Sequence, residues 1–474
     1  MLTCPDPGRT ARLGSLCLLV ALAATAASAQ PPATAAPTEA SLSPAALSEA
    51  WLDERRDYGL PALIDHALVV SEVKRIASSS PGFFSLEEIG RSVEDRALLH
   101  LSLGRGPFHV LLWSQMHGDE PTATPALLQM AEYLARHRAE PAAARILDAL
   151  TIHMVPMLNP DGAHRYQRRN AQGIDVNRDA LLLQTPEGRA LKALRDRLQP
   201  GLGFNLHNQN WRTSAGRTGK PASFSLLSVA FDEARTVTPG RLLTKKTCAV
   251  MRDALEAFVP GQVARYDDEF EVRAFGDNVT LWGTPVVLLE TGPLGGDQPD
   301  TDLVRLNFVA LMAALDAVAS GSVHKADAGR YESLPINASG IFAILIRGAS
   351  VVAGTGVAPF TGDVGVAALR AVRTLKEGGR EFVQVLRVDD LGDLRVFAGL
   401  ETIDAAGMFL APAWDEALEQ GADISVPDWT TIKASPPLAP GTPANLVLLR
   451  PLGDDRYRVE RVIDAEKRLG RKGN

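Results

Sequence analysis

Apolar residues fall into two rhythms along this chain. The runs FHVLLWS (108–114), TIHMVPML (151–158), GLGFNLH (201–207) and TPVVLLE (284–290) are short and nearly unbroken. That is the pattern of strands buried on both faces. Between them, 121–137, 188–198 and about 302–319 carry apolar residues at helical spacing, with Pro121 near a helix start, where proline is tolerated. Alternating strands and helices predict an α/β layered fold. After the last helix, GSVHKADAGRY (321–331) reads as a linker, and the texture changes. IFAILIRGASVV (341–352), EFVQVLRV (381–388), ANLVLLRPL (444–452) and RYRVERVI (456–463) are strand-like and separated by turn residues. A first domain over 43–322 and a second, smaller β-rich domain over 323–474 are expected.

The amino-terminal residues follow neither rhythm. Arg9 and Arg12 precede an apolar run, 13–24, and then Ala27-Ser28-Ala29. A basic start, an apolar stretch and a small-x-small site predict a signal peptide over 1–29, hence a periplasmic or secreted protein. Residues 30–42, rich in Pro and Ala, read as a linker. Cys4 and Cys17 would leave with the signal, so Cys248 alone remains and no intrachain disulfide is expected. After residue 30 no stretch is apolar and long enough to span a bilayer. A net charge of −7 offers no basic footprint for nucleic acid. Nothing in the sequence sets the oligomeric state.

One constellation carries chemistry. His117-Gly118-Asp119-Glu120 follows the strand 108–114, and His207 ends the strand 201–207. Carboxyl ends of strands are where open α/β sheets build sites. Two histidines and one glutamate leave a fourth position open, the pattern of a catalytic zinc.

Around this trio stand GRSVEDR (90–96), QMHGDEPT (115–122), NPDG (159–162), RRNAQGIDVNRD (168–179), FNLH (204–207) and LLETG (288–292). In this order and spacing they resemble the M14 metallocarboxypeptidase family, over roughly residues 60–320. The resemblance implies a mixed twisted sheet flanked by helices and one Zn²⁺ per chain, held by His117, Glu120 and His207. It implies Glu290 as general base and acid, Arg168 as the arginine that stabilises the oxyanion, and Asn177-Arg178 as the pair that binds the substrate's terminal carboxylate. Asp175 would orient His117, and Arg96 would lie in the outer substrate cleft. Tyr266 is the candidate for the mobile tyrosine that closes over substrate. The implied partner is a peptide with a free carboxyl terminus. The same site would also suit amide hydrolysis of N-acyl amino acids or cell-wall peptides, and a catalytically inactive binding module is the alternative from another class.

Three further histidines and one acid are given plainer readings. His109 and His153 sit inside strand-like runs and are read as structural, His164 as a surface residue, and Asp161 as a turn former. The second domain resembles, over short segments (345–356, 361–366, 443–452 and 457–463), the β-sandwich that flanks the barrel of amidohydrolases. No histidine follows His324, so this domain is expected to be non-catalytic.

Overall fold

The computed structural model describes residues 42–60, 63–294, 300–354, 356–414, 418–429 and 436–469. The expected signal peptide, and all of the expected linker but residue 42, lie outside them. The first body carries strands β1 (Phe84–Arg91), β2 (Ala97–Gly104), β3 (Phe108–Ser114), β4 (Leu150–Val155), β5 (Leu202–Asn208), β6 (Thr213–Ala215), β7 (Phe224–Ser228), β8 (Val263–Arg265) and β9 (Val286–Thr291). Its helices are α1 (Pro44–Glu54), α2 (His66–Ser79), α3 (Ala123–Arg136), α4 (Pro141–Ala149), α5 (Pro160–Arg165), α6 (Pro186–Leu198), α7 (Pro239–Glu256), α8 (Phe275–Leu281), α9 (Asp300–Ala319) and α10 (Gly329–Glu332).

All these strands except β6 form one sheet in the order β1-β2-β4-β3-β5-β9-β7-β8. The pairs β4–β3, β3–β5, β5–β9 and β7–β8 are parallel, and β1–β2, β2–β4 and β9–β7 antiparallel. The sheet is mixed, and helices cover both faces. Alternate residues of β3 show why its run is unbroken: Val110 and Leu112 join the core beneath α1–α4, α7 and α9. Leu111 and Trp113 join the opposite core with α6 and α8. Neither face of the strand meets water, so no polar alternation is needed.

Three histidines near one end of the sheet bond to one another. His153 Nδ1 lies 3.0 Å from His100 Nε2, and His153 Nε2 2.9 Å from His109 Nδ1. Burial, then the two neighbouring imidazoles, pushes His153 down to about 3, which keeps this central imidazole uncharged inside the sheet.

Residues 321–334 are not a free linker. Val323, Tyr331 and Leu334 are buried in the first body's core, and the Tyr331 hydroxyl accepts from Ser228 N at 3.0 Å. The polar letters of this stretch obscured an amphipathic turn that packs on α7. The crossing follows at β10 (Asn337–Ser339), which pairs antiparallel with β6.

The β-rich body therefore begins at Ile341 rather than 323. It contains β11 (Ile341–Val351), β12 (Phe360–Thr374), β13 (Arg380–Gly392), β14 (Ala398–Asp404), β15 (Phe409–Pro412), β16 (Asp423–Ser425), β17 (Leu446–Gly453), β18 (Arg456–Ile463) and β19 (Glu466–Leu469). They form one sheet in the order β16-β18-β17-β15-β11-β12-β13-β19, with β14 also pairing with β11. The two bodies touch through more than the crossing strand. Arg212 pairs with Asp389, Arg380 donates to the carbonyl of His164, and Tyr166 meets Phe382 edge-on at 4.9 Å.

Candidate active site

Strand order reverses around β3: β4 lies on one side of it and β5 on the other. The carboxyl ends of the strands splay apart there and leave room for a site. His117 and Glu120 stand on the loop after β3, His207 near the end of β5, and Glu290 near the end of β9 in register with His207.

The loop 115–120 is held in shape from below. Gln115 takes a left-handed backbone, φ 49°. Its side chain braces the turn, donating to Gly118 O at 3.1 Å and accepting from Thr124 Oγ1 at 2.8 Å. A Cβ at Gly118 would stand 2.0 Å from the Gly162 carbonyl carbon, so only glycine lets α5 approach. Asn159 caps α5 by accepting from Gly162 N at 2.9 Å. Its Nδ2 donates to Met116 O at 3.2 Å and to Arg168 O at 3.3 Å, joining the two site loops.

His117 Nδ1 lies 2.8 Å from Glu120 Oε1, and His207 Nδ1 2.7 Å from Glu120 Oε2. The three donor groups lie within 4.8 Å of one another, and all three residues are buried. Two imidazole nitrogens and one carboxylate facing one point fit the donor preference of a zinc ion. Burial alone would raise Glu120, but the two imidazoles beside it hold it well below the usual carboxylate range. Asp175 Oδ1 lies 3.1 Å from His117 Nε2 and accepts from Asn177 N at 2.9 Å, while Oδ2 accepts from Arg168 Nε at 2.9 Å. One carboxylate thus fixes the imidazole and the guanidinium together.

Arg168 Nη1 is 3.1 Å from His117 Nδ1 and 3.4 Å from Glu120 Oε1. Arg169 turns away and donates to Gly173 O at 3.0 Å. Glu290 is half-buried, and its buried Oε2 has no hydrogen-bond partner within the protein. Burial first, then the Glu120 charge, pushes it up to about 8.

His117, Glu120, Arg168 and Glu290 line a cleft of about 570 Å³ that also contains Asn177, Arg178, Tyr266 and Asp277. Asn177 Oδ1 accepts from Phe275 N at 2.8 Å, which leaves the amide nitrogen as its donor end. Arg178 is partly neutralised by Glu271, Nε to Oε2 3.2 Å. Tyr266 is about one-third exposed, at 36%. Burial pushes Asp277 up to about 7. Asn205, two residues before His207 on β5, lines the same cleft fully buried with both amide atoms unpartnered. Sequence reading missed it, because an asparagine inside an apolar strand carries no spacing signal.

Arg96 is not in this cleft. Its guanidinium is drawn to Glu94 and to the fully buried Asp161, each at 2.5 Å. Asp161 accepts in addition from Ser92 Oγ at 2.8 Å and Glu94 N at 3.0 Å. A carboxylate buried this deeply requires a cation, and Arg96 supplies it. Arg96→Ala is expected to cost about 2–3 kcal/mol of folding stability, below the full value for a broken buried pair because two donors to Asp161 remain. Urea unfolding measures this, and an unchanged midpoint would return Arg96 to consideration as a cleft residue.

The fold and the site together define a mixed α/β body with a histidine–glutamate–histidine metal-type cluster at the switch point of its sheet. Residues 69–221 match the family Peptidase_M14, zinc carboxypeptidase. The chain is 36% identical over 93 residues to carboxypeptidase SOL1 of Arabidopsis thaliana, covering 17% of this chain and 19% of that protein. It is 30% identical over 124 residues to carboxypeptidase M of Mus musculus, covering 23% and 28%. The chain thus spans less than a third of the length of these curated relatives. Among solved structures, a metallo-carboxypeptidase from Burkholderia cenocepacia superposes with a TM-score of 0.44 at 18% identity, over 52% of this chain and 68% of that one. A metallo-carboxypeptidase from Pseudomonas aeruginosa, in complex with (2-guanidinoethylmercapto)succinic acid, gives 0.43 at 20% identity, over 54% and 69%.

Proposed function

We propose that this protein is a zinc metallocarboxypeptidase that removes the terminal residue of a peptide with a free carboxyl end. The observation that carries the reading is a convergence. The half-buried Glu290 with its unpartnered Oε2, His117 and Glu120 of the cluster, Arg168 and the Asn177–Arg178 pair all line one cleft, and His207 completes the cluster beside it. His117, Glu120 and His207 would hold one Zn²⁺ per chain, with Asp175 fixing the orientation of His117. The bound ion would supply Lewis acidity, acidifying water and polarising the scissile carbonyl.

The other roles belong to the chain's own residues. Glu290 takes the proton of the attacking water and delivers it to the leaving amine. Arg168 offers N–H donors to the carbonyl oxygen as it gains negative charge. Arg178, with the Asn177 amide nitrogen, binds the terminal carboxylate and so sets which peptide bond lies at the cluster. Tyr266 flanks the bound end. The family match, the donor set and the basic pair in the cleft support this reading, and the amino-terminal pattern supports export to the periplasm or beyond. Among the described residues no helix is long and apolar enough to cross a membrane.

Blocking the substrate's terminus tests the proposal. A peptide with a free carboxylate is expected to release its last residue, and its carboxamide twin to be cleaved at least about a hundredfold more slowly, the scale of a lost charge-assisted anchor of about 3 kcal/mol. Equal rates in a quenched amino-acid release assay would exclude a carboxypeptidase and favour an endopeptidase or deacylase.

A further inference from the structure

The β-rich domain, which lacks histidine, does more than pack beside the cleft. A second hollow of about 340 Å³ adjoins the first. The two share Glu120, Arg168, Asn208, Gln209 and Asn210, so they meet at the candidate metal cluster. One continues to Asn177 and Arg178. The other continues to Trp211, Tyr166 and Leu303 of the first body and to Ala368, Leu369 and Arg370 of β12. The wall of this second hollow is therefore built by both bodies.

That wall is held in place from both sides. Arg370 Nη2 donates to Asp300 Oδ1 at 2.6 Å, at the start of α9. Its guanidinium lies over Trp211, 4.7 Å from the ring centroid, and 5.9 Å from Phe382. Phe382 in turn meets Tyr166 edge-on. Arg370 and Phe382 of the β-rich body thus stand between Trp211 and Tyr166 of the first body, and a cation stacked on aromatic faces is favourable in itself. Leu369 stands beside this stack and is half exposed, at 50%. With Ala368, Leu303 and Pro121 it gives the hollow an apolar surface close to Glu120.

Direction follows from the proposed function, on which this inference rests. With the substrate's carboxylate at Asn177–Arg178 and the scissile carbonyl at Arg168, the preceding residues run from the meeting point into the second hollow. We propose that the β-rich domain forms the subsite for the residue preceding the scissile bond, that Leu369 and Trp211 determine its specificity, and that the side chain accepted there is apolar. The domain is in that sense part of the enzyme's cleft, although it supplies no group that touches the reacting atoms.

The test compares two free-acid substrates with the same terminal residue, using the full-length zinc-loaded protein. One carries an apolar residue before the scissile bond, and the other is the N-formyl amino acid, too short to reach Leu369. In Leu369→Asp the ratio of kcat/KM, long over short, is expected to fall about tenfold or more, the scale of a lost apolar side-chain contact. Leu369→Ala, milder for folding, should lower the ratio in the same direction. Val396→Asp, a change at a residue 86% exposed on the same body, should leave the ratio unchanged. A ratio within twofold of wild type in both Leu369 variants overturns the proposal, as does an equal fall in Val396→Asp. Calorimetric titration of the longer peptide onto zinc-loaded Glu290→Gln separates the two layers of argument. If wild type cleaves nothing but the peptide binds and Leu369→Asp weakens binding, the subsite stands and the carboxypeptidase reading fails. If the peptide neither binds nor is cleaved, both fail.

Discussion

Glu290→Gln is expected to lose about 10³- to 10⁴-fold in kcat while folding and binding zinc as wild type does. The size follows from general acid–base catalysis, which contributes about 10² to 10⁴-fold. The upper part of that range applies because in the proposed mechanism Glu290 would serve two proton transfers and position the water as well. Glutamine keeps the shape and hydrogen bonding of the side chain but cannot accept or deliver the proton. The structure supports the choice of residue. Glu290 is half-buried near the end of β9, beside His207 in the neighbouring strand, and its buried Oε2 has no protein partner. A glutamate serving only as a surface or capping group would be solvated or bonded to backbone, and its loss would leave turnover near normal. Steady-state kinetics and metal analysis on one preparation decide the matter. Full zinc with turnover within a few-fold of wild type would remove Glu290 from the mechanism.

What the sequence revealed depended on how local each determinant was. The strand 108–114 was legible because both of its faces are buried, so its apolar run is unbroken and needs no knowledge of its partners. The trio His117, Glu120 and His207 was legible because its members stand at the ends of such runs. The supports of that trio were not. Asn159 reads as a turn residue in NPDG, yet its side chain ties Met116 to Arg168, contacts that form only when three loops meet. Arg96 was assigned to the cleft, while the buried Asp161 that captures it lies 65 residues further on. Helix α7 left a trace at Leu243, Thr247, Cys248, Met251 and Leu255, which are buried at helical spacing, but interleaved Lys, Thr and Arg weakened it. The contribution of β12 to the cleft was invisible. Ala368, Leu369 and Arg370 form no motif, and only the packing of β12 against Trp211 and Asp300 brings them to the site.

His207→Ala is expected to abolish both stoichiometric zinc binding and turnover, an effect larger than that of any other substitution considered. Removing one of three donors leaves His117 and Glu120 on one loop with nothing to close the site from β5. Asp175→Ala should act in the same direction but more weakly, by about 10–100-fold in metal affinity, because it orients a donor without being one. The order of the two variants is itself informative: if Asp175→Ala lost more zinc than His207→Ala, the assignment of donors would be wrong. Stability must be measured with a chelator present, because two effects coincide. Zinc that binds only the folded protein stabilises it in proportion to the logarithm of its free concentration, and that contribution vanishes with the site. Separately, Glu120 is buried between two imidazoles, and His207→Ala removes the partner at 2.7 Å from Oε2, leaving Asn208 N at 3.2 Å on that oxygen. Burial pushes the His207 imidazole down, so the contact is a hydrogen bond to a buried carboxylate rather than an ion pair, and losing such a bond costs about 1–3 kcal/mol. In chelator the variant should therefore still be less stable than chelated wild type, by about 1–3 kcal/mol. Equal stability in chelator would mean that the Glu120–His207 contact contributes nothing without the ion. Full zinc in His207→Ala would refute the proposed metal centre outright.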